Sequence, residues 1–255
     1  MDYNKTFETR GAQYTYAVET YPDALSKEFK NAIDICGIQE TDVLLNIQAG
    51  GVPLKPYFTT QPSVYHEYET NTMFANLSGI SLCTLSSIPL EDESCSKILS
   101  LASLHHATQE ERREFYKESW RLLKPGGRLV IGDVCRDSDQ ARWLNIFVDA
   151  NNSSGHCGLF WSQEDVGLLE AQGFQIQMEE REYPWSFSSR DSMIDFCKNL
   201  FGLNLASEQK IQKGLESYLH ATDGGFMWKL VYFIATKPLD GAQLHESTSE
   251  SLLQG

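Results

Sequence analysis

Positive charge is scarce in this chain. It holds 21 Lys and Arg against 35 Asp and Glu, a formal net charge of -14. Binding phosphates or anionic lipid heads takes clustered basic side chains, so neither nucleic-acid nor membrane partners are expected. The one basic pair in a helical stretch, Arg112 and Arg113, sits among Glu110, Glu111 and Glu114 and reads as solvated helix surface. No apolar run approaches the ~18 residues that span a bilayer. The first residues, MDYNKTFETR, hold no apolar signal core. A cytoplasmic protein is expected.

Clustered cysteine is lacking too. Cys36, Cys83, Cys95, Cys135, Cys157 and Cys197 include no C-x-x-C pair and no Cys/His array with zinc spacing. Separate reduced thiols are expected, and no metal site. Several reaction motifs are absent: G-x-S-x-G of the serine hydrolases, the Walker loop, and the G-x-G-x-x-G of dinucleotide binding. The stretch GGVPLK at 50–55 supplies neither of the last two.

What the chain does have is alternation. Short apolar runs at 43–47, 63–68, 80–85, 97–103, 128–134, 174–178 and 229–235 read as strands, several covered on both faces. Helical periodicity falls at 22–36, 109–123, 138–150, 162–172, 190–201 and 207–220. Pro22 opens the first of these and Gly37 follows its end, the expected asymmetry. Ser162 and Asp165 mark another helix start, and Gly173 its stop. This order implies an α/β fold with a doubly wound, mostly parallel sheet of seven strands. One domain over 1–238 is expected, with a helical cap at 1–40, an insertion at 135–173 after the fifth strand, and a frayed tail at 239–255.

The most specific stretch is WRLLKPGGRLVIGDV, residues 120–134: a helix, a Pro stop, a Gly-Gly turn and an apolar strand. Its wording resembles a hallmark of the class I S-adenosylmethionine (SAM)-dependent methyltransferases, in the group related to the ubiquinone/menaquinone enzymes. The resemblance covers roughly residues 12–238. AQYTYAVETYPDAL (12–25) is similar to that group's N-terminal cap. SSIPLEDESCSKILSLASLHH (86–106) is similar to its third loop and fourth strand, and WSQEDVGLLEAQGFQI (161–176) to its late helix and sixth strand.

The resemblance implies SAM as cofactor, a small-molecule acceptor and a particular set of positions. Where the family reads VLDIGCGTG, this chain reads LLNIQAGGV (44–52). Asn46 stands for the family's Asp, Gln48 and Val52 for its first and third Gly, and Gly50 keeps the middle one. Asn46, Gln48, Ala49, Gly50 and Gly51 are thus the implied first-loop contacts. Glu69 takes the place of the ribose-binding acid. Thr84, with Leu85, takes that of the adenine-binding Asp. Leu101 and Ala102 end the fourth strand beside the cofactor.

Methyl transfer from a sulfonium is an in-line displacement that needs positioning and, for some acceptors, a base. His105, His106 and Asp133, at the carboxyl edge of the sheet, are the catalytic candidates. The competing reading is that one His packs or caps the helix at 109 and that Asp133 caps a turn. Trp143, His156 and Trp161, with Asp149, Asn151 and Phe160, are candidates for a substrate wall, or else lid packing. Trp185 and Phe187 are candidates to join them. Two functions stay open: a SAM-dependent methyltransferase with a variant cofactor loop, and a methyltransferase-like protein using the pocket for binding or for another reaction.

Overall fold

Apolar residues on both sides of each central strand force burial on both faces, and the chain meets that need by covering the sheet with helices. The computed structural model describes residues 7–8, 10–48, 50 and 54–239. Its strands are β1 (Val43–Ile47), β2 (Val64–Glu69), β3 (Ser81–Leu82), β4 (Cys95–Leu101), β5 (Leu123–Asp133), β6 (Gln175–Ser186) and β7 (Gly225–Thr236). They form one sheet in the order β3-β2-β1-β4-β5-β7-β6. The first five are parallel, and β7 runs antiparallel between β5 and β6.

Strand alternation divides the core into two layers. Leu44, Leu99 and Val130 face one side, where they meet Phe29, Ile33, Phe196 and Leu215. Leu45, Ile98, Leu129 and Ile131 face the other, against Phe115, Tyr116, Trp161 and Leu169. The described helices are α1 (Gly11–Thr20), α2 (Pro22–Cys36), α3 (Thr72–Ser78), α4 (Gln109–Leu122), α5 (Asp139–Arg142), α6 (Asp149–Asn151), α7 (Gln163–Ala171), α8 (Arg190–Leu200) and α9 (Glu208–Leu219), of which α2, α4, α7, α8 and α9 supply these partners. A π-helical stretch, Trp143–Val148, joins α5 to α6. Among the described residues no helix is long and apolar enough to cross a membrane. The six cysteines are free.

Elements read from the sequence lie close to their expected bounds, with instructive exceptions. α2 begins at Pro22 and ends on Gly37, whose φ of 61° is the left-handed cap that glycine favours. α7 starts with the reciprocal Ser162/Asp165 capping box. The run at 80–85 shrinks to the two residues of β3. β6 and β7 instead lengthen to 12 residues each, because they pair as one long antiparallel ribbon from Gln175↔Thr236 to Ser186↔Gly225. The proline-rich stretch after β1 makes only a 3-10 turn, Lys55–Tyr57. α3, capped by the Asn71 side chain, is a helix the periodicity did not predict.

Arg112 is a correction. It is fully buried, whereas Arg113 is exposed. Helical spacing puts residue 112 on the same face as Phe115, Tyr116 and Ser119, which point into the protein. Its guanidinium donates to Leu104 O at 3.0 Å, to Leu159 O and to Asp165 Oδ1 at 2.9 Å, and lies 4.8 Å from the Trp161 ring. This residue ties the turn after β4 to the segment that follows α6.

Candidate functional site

β1 and β4 are neighbours in space, and the order of strands runs outward from them in both directions. A crevice opens at the carboxyl ends of strands at such a switch point. Here it holds two adjoining cavities. The first is lined by Asn46, Gln48, Gly50, Leu101, Ala102 and Ser103, with about 550 Å³ of empty space including its open mouth. The second, with about 660 Å³ counted the same way, is walled by His105, His156, Leu144, Trp185, Phe201 and Trp228. Phe7, Tyr14, Glu28, Ala102 and His106 line both.

The backbone at this crevice is unusual. Gln48 has φ 55° and Ala102 has φ 50°, in the left-handed region that glycine enters without strain. Gln48 stands where the resemblance puts a glycine, and it keeps a glycine's conformation. Its amide nitrogen donates to Tyr68 O, and its Nε2 to Thr70 Oγ1 at 3.1 Å. Its Oε1 is buried and has no hydrogen-bond partner among the described residues. Asn46 donates to Tyr65 Oη at 3.3 Å, and that hydroxyl donates in turn to Glu67 at 2.6 Å.

Glu69 is 0% exposed. Its carboxylate accepts from the backbone N–H of Gly50 (2.7 Å), Thr70 (2.7 Å) and Asn71 (3.0 Å). The acid thereby pins the loop after β1 to the end of β2. Thr84 is exposed, in a turn where its hydroxyl meets Ser86 at 3.3 Å, and Leu85 is buried in the second core layer. Ala49, Gly51 and Val52 lie outside the described residues.

The histidines gather. His105 Nδ1 lies 2.8 Å from Asp133 Oδ1. Asp133, fully buried, also accepts from the His105 and Val134 backbone N–H groups. Its own burial would raise its pKa, yet His105 and the Val134 amide together hold it below the usual aspartate value. His156, from the insertion, brings its ring to 5.7 Å from that of His105 and 5.4 Å from that of His106. Burial, then the neighbouring His105 and Arg10, push His156 down to about 3. Burial and the same neighbours, with His156, push His106 well below the ordinary imidazole value. Both rings are therefore neutral at physiological pH.

Of the aromatic wall, Phe160 lies 5.6 Å from His105 and Trp185 lines the second cavity. Trp143 stacks on Phe147 at 4.5 Å inside the first core layer, and Trp161 sits in the second. Asp149 and Asn151 hold backbone, at His156 N and Phe147 O. Glu69, Thr84, Leu85, Asp133, Trp143 and Trp161 line neither of the two cavities.

The lining residues that the sequence did not point to include Phe7, Arg10, Tyr14 and Glu28. Glu28 is the most informative. It shares the buried face of α2 with Leu25, Phe29 and Ala32, so an acid on an apolar stripe was its signal in the sequence. It is 4% exposed, and burial raises its pKa to about 8. The tips of Tyr183 and Trp185 lower it in part, although neither makes a hydrogen bond of ordinary geometry with it.

A family model described as a methyltransferase domain matches residues 64–131. That segment runs from β2 through the turn after β4 and α4 into β5, so it includes one wall of the crevice. Over that segment the chain is similar to a methyltransferase domain. An uncharacterized methyltransferase of Schizosaccharomyces pombe is 31% identical over 146 residues, which is 52% of this chain and 54% of that one. The chain thus spans about half the length of that relative. The YcgJ protein of Bacillus subtilis has the same fold, with a TM-score of 0.62 and 17% identity over 82% of this chain and 97% of that one. A Haemonchus contortus phosphoethanolamine N-methyltransferase 2 in complex with phosphomonomethylethanolamine and S-adenosylhomocysteine gives a TM-score of 0.60 at 14% identity, over 93% of this chain and 60% of that one.

Proposed function

We propose that this chain transfers methyl groups from SAM to a small-molecule acceptor. One observation carries the reading: a cavity at the switch point, with Glu28, Asn46, Gln48 and Ser103 set among apolar residues, adjoins a second, more apolar cavity through five shared residues. Such a pair suits a cofactor on one side and an acceptor on the other. The residues present fit the amino-acid end of the cofactor. Gln48 Oε1 is a buried acceptor with no partner among the described residues, and Asn46, Gly50 and Ser103 add polar groups to the lining. When bound, SAM supplies an electrophilic methyl on a sulfonium.

The chain's own part is to orient, exclude water and move a proton. Leu144, Val148, Phe201 and Trp228 give the second cavity apolar walls that hold and desolvate an acceptor. Glu28 lines both cavities; with a pKa of about 8 it keeps its proton at neutral pH and takes one from an acceptor only in its ionised form, which grows as pH rises towards that value. Asp133 is a positioning residue, because it holds the His105 ring and backbone and touches neither cavity.

Isothermal titration with SAM and S-adenosylhomocysteine tests the reading. Micromolar binding is expected, weakened about tenfold in Gln48→Ala by loss of one hydrogen bond. A folded protein that gives no heat at high ligand concentration refutes it. That outcome would favour the second reading, a methyltransferase-like protein with another ligand, for which the Glu69 carboxylate bound by three loop amides is the supporting observation.

A further inference from the structure

Three histidines meet at the second cavity, and nothing in the methyl-transfer reading requires them. One ring nitrogen of each lies within 4.8 Å of the corresponding nitrogens of the other two, and all three residues are buried. We propose that His105, His106 and His156 form a binding site for a divalent transition metal of the zinc, cobalt or nickel class, with an open coordination position facing the cavity.

Orientation of the rings is the first argument. A metal-binding His presents one ring nitrogen to the metal and donates through the other to a carboxylate or carbonyl oxygen. His105 Nδ1 is engaged by Asp133 Oδ1 at 2.8 Å. His156 Nδ1 is engaged by Asn145 Oδ1 at 3.0 Å. Asn145 Oδ1 also accepts from Gly158 N, and its Nδ2 donates to Gly158 O, so the amide is fixed and its oxygen is the acceptor for His156. Both Nε2 lone pairs are therefore left for another partner. An aspartate and an asparagine do for these two rings what outer partners do in metal centres.

The second argument is how the site is held. His105 and His106 lie in a 3-10 turn after β4. His156 comes from the insertion, whose Leu159 N donates to His105 O at 2.7 Å, and Arg112 clamps both segments. Asn145 belongs to the π-helical stretch, a local irregularity frequent at functional sites.

Metal–nitrogen bonds of about 2.0–2.1 Å in tetrahedral geometry put ligand nitrogens about 3.3 Å apart. The rings close the remaining gap by rotating about their side-chain bonds. Three imidazole ligands suit a borderline metal, and three protein ligands are the pattern of a site that keeps a position open. Asp133 supplies negative charge, and Arg10, which lines the same cavity, opposes it. The ligand class for the open position is an oxygen donor: water, or a hydroxyl or carbonyl of a molecule in the cavity.

The test uses the full chain without a histidine tag, stripped of metal by chelator and titrated with Co²⁺. The expected result is a visible d–d band of a four- or five-coordinate cobalt site, saturating at one ion per chain and displaced by Zn²⁺. His105→Ala and His156→Ala should each weaken binding at least 100-fold, and Asp133→Asn by about 10- to 100-fold. His220→Ala, at an exposed His outside the cluster, should leave the band unchanged. Wild-type protein with native circular dichroism but no saturable band overturns the proposal. A band that survives in the His105→Ala/His156→Ala double variant also overturns it. Because the wild-type titration needs no variant and no SAM, its outcome is separate from that of the methyl-transfer test.

Discussion

Glu28→Gln isolates the most strongly perturbed acid of the site. The folded chain holds the Glu28 proton up to a pKa of about 8, against 4.5 for the ordinary carboxyl. A pKa raised on folding means that its stabilisation is complete below the unfolded value and is lost as pH climbs through the folded one. Between the two values the folded state carries one proton more than the unfolded state. Stability then falls by about 1.4 kcal/mol per pH unit. Over the interval from 4.5 to about 8 the loss is on the order of 5 kcal/mol, an upper bound because water and side chains relax around the ionised group. Glutamine has nearly the same shape and no proton to lose. Urea unfolding of both proteins, followed by tryptophan fluorescence from pH 5 to pH 9, should give curves that diverge with pH. The variant should be the more stable by several kcal/mol at pH 9 and close to wild type near pH 5. A stability difference that does not change with pH would refute the reasoning, since it would mean that Glu28 ionises in the folded chain as it does in water.

Arg112→Ala leaves Asp165 buried without its cation and should cost about 3–5 kcal/mol, lowering the melting temperature on the order of 10 °C by calorimetry. A loss under about 1 kcal/mol would show that the clamp is not needed. Thr84→Ala removes only a turn contact at an exposed position, so stability should shift by no more than about 0.5 kcal/mol and SAM titration should be unaffected. A tenfold weaker SAM affinity in that variant would return Thr84 to the adenine side of the site.

Residues near the crevice show where reading a sequence succeeds and where it stops. Gln48 was recognised by its place in a loop pattern, yet only the structure shows it holding a glycine's backbone conformation. Glu69 was marked as a ribose acid; in space it accepts three loop amides. Trp143 and Trp161 were aromatic signals in an insertion, and packing put them in two different core layers. His105, His106 and His156 escaped notice as a group because about 50 residues separate the third from the first two. No local spacing rule spans that distance.

Local physics determined the elements. Apolar runs covered on both faces made the strands, 3.6-residue stripes made the helices, and Pro22, Gly37, Ser162 and Asp165 set helix ends, because each of these effects acts within a turn or two of chain. Tertiary structure decided the site. Glu28 from α2, His105 from the turn after β4 and His156 from the insertion share one crevice, with Asp133 of β5 bonded to His105 behind it, only because the order β3-β2-β1-β4-β5-β7-β6 brings those ends together. Burial there then raised the pKa of Glu28 and lowered that of His156, a long-range consequence of what packs around them that their own neighbours in sequence do not contain.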